Sequence, residues 1–176
     1  MSAEEPVALV DASGAPVGTA ARSVVRRENL MHAATAVLVR DPSGRIYVHR
    51  RSPEKDWAPG HHDAAAGGVL QSGEEPAASA ARELEEELGV AGAVLRPLGL
   101  SVFEDETTRC VEHCFETTWG GEVRHADGEV VWGAWMSLTE LAERLADPEW
   151  PFVPDTRALL ARLARDGTGD YGALSR

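Results

Sequence analysis

Apolar positions along the chain change period several times, and each change marks an element. Ala34 to Arg40 is a near-continuous apolar run, as expected of a strand buried on both faces. Asp41-Pro42-Ser43-Gly44 reads as a type I turn, and Arg45 to Arg50 as the return strand. Upstream, Val7 to Val10 and Val17 to Ala20 flank the turn residues Asp11 to Pro16, predicting a small hairpin followed by a short helix over Ala21 to Glu28. Further strand patterns cover Ala64 to Leu70, Val94 to Leu100, Cys110 to Thr118 and Val130 to Met136, and Ser52 to Asp63 is a polar loop. Between Ser72 and Gly89 the pattern turns helical. Ala77, Ala81, Leu84 and Leu88 make one apolar stripe that must face the core. Ser72 and Glu75 have capping-box spacing, Pro76 suits the first turn, and Gly89 suits the residue just past the end. Ser137 opens a second capping box with Glu140 for a helix to about Ala146, and Asp155 to Ala164 forms a final amphipathic helix.

These elements predict an α/β layered domain, with a mixed central sheet and helices on both faces. A chain of 176 residues that is 43% hydrophobic is long enough for one real core. We expect residues 1–30 to pack as a hairpin and short helix on a main domain spanning 31–166. The first six residues read as a loose start, and 167–176, a polar glycine-containing run, as a flexible tail.

The helix before Gly89 carries an unusual load, with Glu83, Glu85, Glu86 and Glu87 in one short stretch. At about 100° per residue, Glu83, Glu86 and Glu87 share one arc of about 100°, and Glu85 points to the solvated flank. Glu83 and Glu87 repel one another across a helical turn, which costs a few tenths of a kcal/mol. Such a face is either simply solvated or neutralised by a hard divalent cation. Carboxylate oxygens suit Mg²⁺ or Mn²⁺, and Mg²⁺ commonly joins one or two carboxylates to substrate phosphates. Arg82 is placed to reach Glu86 or to fold back on Glu74.

The segment as a whole resembles the Nudix box, G-x5-E-x7-R-E-U-x-E-E-x-G-U with U aliphatic. Gly68, Glu74, Arg82, Glu83, Leu84, Glu86, Glu87, Gly89 and Val90 stand at its specified positions. The resemblance covers about residues 32–165 and implies a Nudix-type α/β/α sandwich. It further implies that Glu83, Glu86 and Glu87, joined by the carbonyl of Gly67, are ligands for Mg²⁺ or Mn²⁺, while Gly68, Glu74 and Arg82 brace loop against helix. The implied activity is metal-dependent hydrolysis of a diphosphate linkage in a nucleoside diphosphate joined to another moiety. One of Glu83, Glu86 and Glu129 would be the catalytic base. Glu129 stands six residues before Trp135, a spacing frequent in the family for an extra ligand or base; otherwise it is a solvated strand-start carboxylate.

Other residues are candidates for substrate contact. Arg50 and Arg51 end a strand aimed at the box, and arginine grips phosphate through a two-pronged hydrogen bond. They point to opposite faces, so one of the two reaches substrate. His61 and His62 precede the box strand without a third histidine at zinc spacing, and His62 is the substrate-binding candidate. Trp57 and Phe103 fall in predicted loops, available to stack on a base, whereas Trp119, Trp132 and Trp135 read as core or sheet-face residues.

Charge narrows the partners. A net charge of −12 argues against a nucleic-acid polymer but is compatible with a small phosphorylated substrate bound through cations. Cys110 and Cys114 lie on one strand face too far apart to bridge, so both read as core thiols, with His113 opposite. Free thiols, the lack of a signal peptide and the lack of a long apolar run lead us to expect a cytoplasmic protein that avoids membranes; a homodimer is one assembly open to it, and the residues do not select an oligomeric state.

Two rival readings remain. The N-terminal layout is similar to the subgroup related to isopentenyl-diphosphate isomerase, whose catalytic Cys and, two residues on, His are replaced here by Gly67 and Val69. A non-catalytic nucleotide-binding domain is the other.

Overall fold

The computed structural model describes residues 4–125 and 128–175. The loose start expected over residues 1–6 lies outside them for 1–3. From Pro6 onward the chain is already in a strand.

Strand β1 (Pro6–Val10) pairs antiparallel with β2 (Pro16–Ala21), and helix α1 (Arg22–Glu28) follows. Asp11 makes the hairpin turn, its Oδ1 accepting from the Ser13 and Ala15 amides. Strand β3 (His32–Arg40) is buried at all nine residues, as an apolar run in mid-sheet must be. It runs parallel to β8 (Arg109–Thr118), in register from His32 opposite Cys110 to Arg40 opposite Thr118. Outside β8 lies antiparallel β7 (Arg96–Glu104). Phe103, expected in a loop, is therefore a strand residue opposite Cys110.

The arrangement that builds the site is a fork. Strand β4 (Ile46–Arg51) touches β3 only at Ile46 opposite Arg40, then leaves it to pair with β9 (Val130–Met136). Two short strands line the gap: β5 (His62–Asp63) on β4, and β6 (Ala65–Ala66) on β3. The expected strand over 64–70 is thus interrupted at Gly67, where a Cβ would stand 1.9 Å from the Thr35 carbonyl oxygen. Pairing resumes only as isolated bridges, Ala34 with Val69 and Val7 with Gln71.

Helices cover both faces. On one, α2 (Pro76–Leu88) packs Ala80, Leu84 and Leu88 against Val37, Val39 and Phe115. On the other, α3 (Leu138–Leu145) and α4 (Pro154–Arg165) pack Leu141, Leu159, Leu160 and Leu163 against Leu38, Ile46 and Val48. The Ser137–Glu140 capping box forms in full. The one expected at Ser72 does not: Glu75 is the N-cap, and Ser72 Oγ bonds Thr19 Oγ1 at 2.8 Å instead. The buried stripe of α2 also differs. Ala77 and Ala81 are exposed, and Ala80 takes the core position because Glu83 and Glu87 are drawn inward beside it.

Residues Tyr171–Ser175 form a 3₁₀ turn where the sequence suggested a loose end. Tyr171 is fully buried with its hydroxyl on Glu116, and Asp170 pairs with Arg40 at 2.7 Å. Among the described residues, no helix is long and apolar enough to cross a membrane.

Candidate active site

The site grows from the last turns of α2 and the glycine pair they meet. Glu83 and Glu87 are 3% and 2% exposed, which is rare for carboxylates. The glycines make that burial feasible. The Gly67 amide donates to Glu87 Oε2 at 3.2 Å, and a Cβ on Gly68 would stand 2.9 Å from the Glu83 carboxylate carbon. Gly68 is bare because the Glu83 carboxylate needs the space, and Gly67 because it lies against the Thr35 carbonyl.

Arg82 ties loop to helix. Its Nε and Nη2 reach the two oxygens of Glu74 at 3.1 and 3.2 Å, while Nη1 reaches Glu83 at 2.6 Å and Glu86 at 3.3 Å. Burial raises the Glu74 pKa, but the Arg82 hydrogen bonds and charge outweigh it and hold the carboxyl below its usual range. Glu86 is the most open of the three box acids, its side chain 53% exposed. Glu85 faces solvent, as expected.

A second cation enters from the 52–63 loop. The Lys55 ammonium lies 3.4 Å from Glu87 Oε1 and also bonds Glu129. Glu87 and Glu129, from α2 and the start of β9, therefore converge closely enough to share one positive charge. Their titration differs because their burial does. Burial pushes Glu87 up to about 8, against the opposing pull of Lys55. Glu129 is more open, so although burial pushes upward, the Lys55 hydrogen bond and charge win and its pKa falls. Burial also raises Glu83, partly offset by Arg82.

These observations bear on whether a divalent cation fits. The donors at Glu83, Glu86, Glu87 and Glu129 are all carboxylate oxygens, the set that hard divalent ions prefer. A lysine ammonium already stands between two of them, and the glycine backbone leaves no side chain in the way. By donor chemistry the residues fit a hard divalent cation, although among the described residues no three of these carboxylates offer oxygens within 4.8 Å of one another.

Arg51 lines the cavity beside Glu83, its Nη1 3.9 Å from Asp63 and its Nη2 on the Trp57 carbonyl. Trp57 and Lys55 line it too. Arg50 and His62 do not: Arg50 bonds the Gly60 carbonyl, and His62 stacks on Trp150 with ring centroids 4.3 Å apart. His61 bonds the Pro59 carbonyl. Trp119 and Trp135 pack with the α2 core, while Trp132 meets His62 edge-on. Lys55 was missed from sequence, although a signal existed: it is the only lysine in the chain, and so not one of the interchangeable surface charges.

The model of the NUDIX domain matches residues 30–156. The chain belongs to the Nudix family. A Rhodococcus erythropolis protein named only as an uncharacterised Nudix hydrolase is 44% identical over 169 residues, covering 90% of this chain and 91% of its own. The crystal structure of DR0079 from Deinococcus radiodurans shares 27% identity at a TM-score of 0.75, covering 90% of this chain and 98% of that one. The NUDIX domain of Shewanella oneidensis NrtR, solved with ADP-ribose, shares the fold at 14% identity and a TM-score of 0.60, over 77% of this chain and 88% of that one. The Nudix fold and box stand together here, and the chain is a Nudix hydrolase.

Proposed function

We propose that this Nudix hydrolase cleaves the diphosphate linkage of a nucleoside diphosphate joined to a second moiety, using Mg²⁺ or Mn²⁺ held by Glu83, Glu86 and Glu87. The observation that carries the reading is the convergence of buried Glu83 and Glu87 on the Gly67–Gly68 backbone, with Lys55 bridging onward to Glu129. The bound cation would neutralise the diphosphate and acidify water. The protein does the rest. Arg51, at the cavity wall, orients a phosphoryl group through its guanidinium. A glutamate accepts the proton of the attacking water, which adds to phosphorus in line as the bridging P–O bond breaks. Glu83 suits that role, because burial raises its proton affinity and it lines the cavity; Glu86 and Glu129 are the alternatives. The products are two phosphate-terminated fragments.

The isomerase reading meets a steric obstacle. A cysteine at position 67 would place its Cβ 1.9 Å from the Thr35 carbonyl, so this backbone is shaped for glycine there. A screen of nucleoside diphosphates, dinucleoside polyphosphates, nucleotide sugars and ADP-ribose with Mg²⁺ tests the proposal. ADP-ribose is included because the Shewanella neighbour was solved with it. Turnover of at least one compound, dependent on the metal, is expected. Tight binding without phosphate-ester products would instead favour a sensing domain.

A further inference from the structure

The cavity that Glu83 lines, about 80 Å³, also reaches buried polar side chains of β8 and α4 on the far side of the fork. There, Cys110 Sγ, a Glu112 oxygen and an Asp155 oxygen all lie within 4.8 Å of one another. Cys110 and Glu112 are two residues apart on β8 and so share a face, and Asp155 sits in the first turn of α4. The three residues are 3%, 4% and 9% exposed.

This group lacks the compensation seen on α2. Glu112 Oε2 is buried without a hydrogen-bond partner, and among the described residues no ion pair involves Glu112 or Asp155. The basic groups lining the cavity make their ion pairs with other acids, Arg22 and Arg26 with Asp56, Arg51 with Asp63, and Lys55 with Glu87 and Glu129, while Arg26 Nε and Arg51 Nε are themselves buried without a hydrogen-bond partner. A buried carboxylate oxygen with no partner is costly, and native interiors rarely leave one.

We propose that Cys110, Glu112 and Asp155 hold a second divalent cation, of the zinc class, separate from the one at α2. A thiolate among the donors favours Zn²⁺ over Mg²⁺. Three protein ligands leave a fourth position open toward the cavity, as in zinc sites that exchange water. The volume suffices, since one water needs roughly 10–15 Å³. On binding, the Cys110 thiol releases its proton to solvent and the thiolate coordinates the ion.

Cobalt is the probe, because a cobalt–thiolate bond gives a near-ultraviolet charge-transfer band that the all-oxygen site on α2 cannot produce. Titrating the full metal-stripped chain with Co²⁺ should raise this band to saturation, at an intensity that corresponds to one cobalt–thiolate bond per chain. Cys110→Ser should abolish it, while Cys114→Ser and Glu86→Gln should leave it in place. Glu112→Gln should weaken Co²⁺ binding by more than the roughly tenfold that outer partners cost. No band in the wild type, or a band that survives Cys110→Ser, would overturn the proposal. Should circular dichroism show Cys110→Ser unfolded, Glu112→Gln decides alone, and unchanged cobalt affinity in it refutes the site. Because Glu86→Gln reports on the α2 site separately, failure of the hydrolase reading is distinguishable from failure of this one.

Discussion

Two groups of buried carboxylates border one cavity, and they are treated in opposite ways. On α2, Glu83 and Glu87 meet Arg82, Lys55 and the Gly67 amide, so each has a positive or donating neighbour in place. Across the fork, Glu112 and Asp155 have no ion pair among the described residues, Glu112 Oε2 has no hydrogen-bond partner, and Asp155 accepts from the Thr156 amide at 2.6 Å. The first group is held ready by the protein's own cations and glycines. The second leaves its charge to be met from outside. The contrast shows that a carboxylate's role depends on what stands opposite it more than on its depth in the fold.

The largest effect tests the α2 side directly. Glu83→Gln should lower turnover by about a hundredfold or more, the scale of losing a positioned acid–base group, with the fold intact by circular dichroism. Glu86→Gln should cost at least about tenfold by the same logic. Unchanged turnover would remove the residue from the mechanism. Next, Arg51→Ala should raise KM by about tenfold, the loss of one charged hydrogen bond, while Arg50→Ala leaves it nearly unchanged. Equal effects would mean that the cavity is not the substrate site.

Lys55→Met breaks the compensation itself. In metal-free protein at neutral to alkaline pH it should cost roughly 1–3 kcal/mol by chemical denaturation, because Glu87 loses its counter-charge and keeps only the Gly67 amide. Saturating Mg²⁺ should erase most of the difference; an equal loss with and without Mg²⁺ would show that the ion and the ammonium do not share a place. A smaller effect follows from the Glu87 pKa of about 8, raised by burial above the ordinary 4.5. The folded state binds this proton more tightly, so the group's contribution to stability is complete below about 4.5 and is lost as pH rises through 8. The melting temperature of metal-free protein should therefore decline across that window relative to protein saturated with Mg²⁺. Parallel curves would contradict the assignment.

Local chemistry made much of this legible in the sequence. Pro76 and Gly89 bounded α2, Ser137 with Glu140 capped α3, and the strand Val130–Met136 was read to the residue, because each signal is spelled by neighbours in the chain. What escaped notice was decided by distant partners. Ser72 could not cap α2 once its hydroxyl met Thr19, and Tyr171 pinned the expected tail by reaching Glu116. The stripe of α2 rotated onto Ala80 because the fork draws Glu83 and Glu87 inward, which periodicity alone cannot show. The box acids are singled out by their spacing, whereas Lys55 and the Cys110–Glu112–Asp155 group depend on contacts between elements far apart in the chain.

Electron paramagnetic resonance titration with Mn²⁺ tests the central claim, that Glu83, Glu86 and Glu87 act together on a divalent ion. Wild-type protein should bind Mn²⁺, and Glu83→Gln and Glu87→Gln should each bind it at least about tenfold more weakly, as the loss of a direct ligand should cost no less than an outer partner. Equal Mn²⁺ affinity in wild type and both variants would contradict the account.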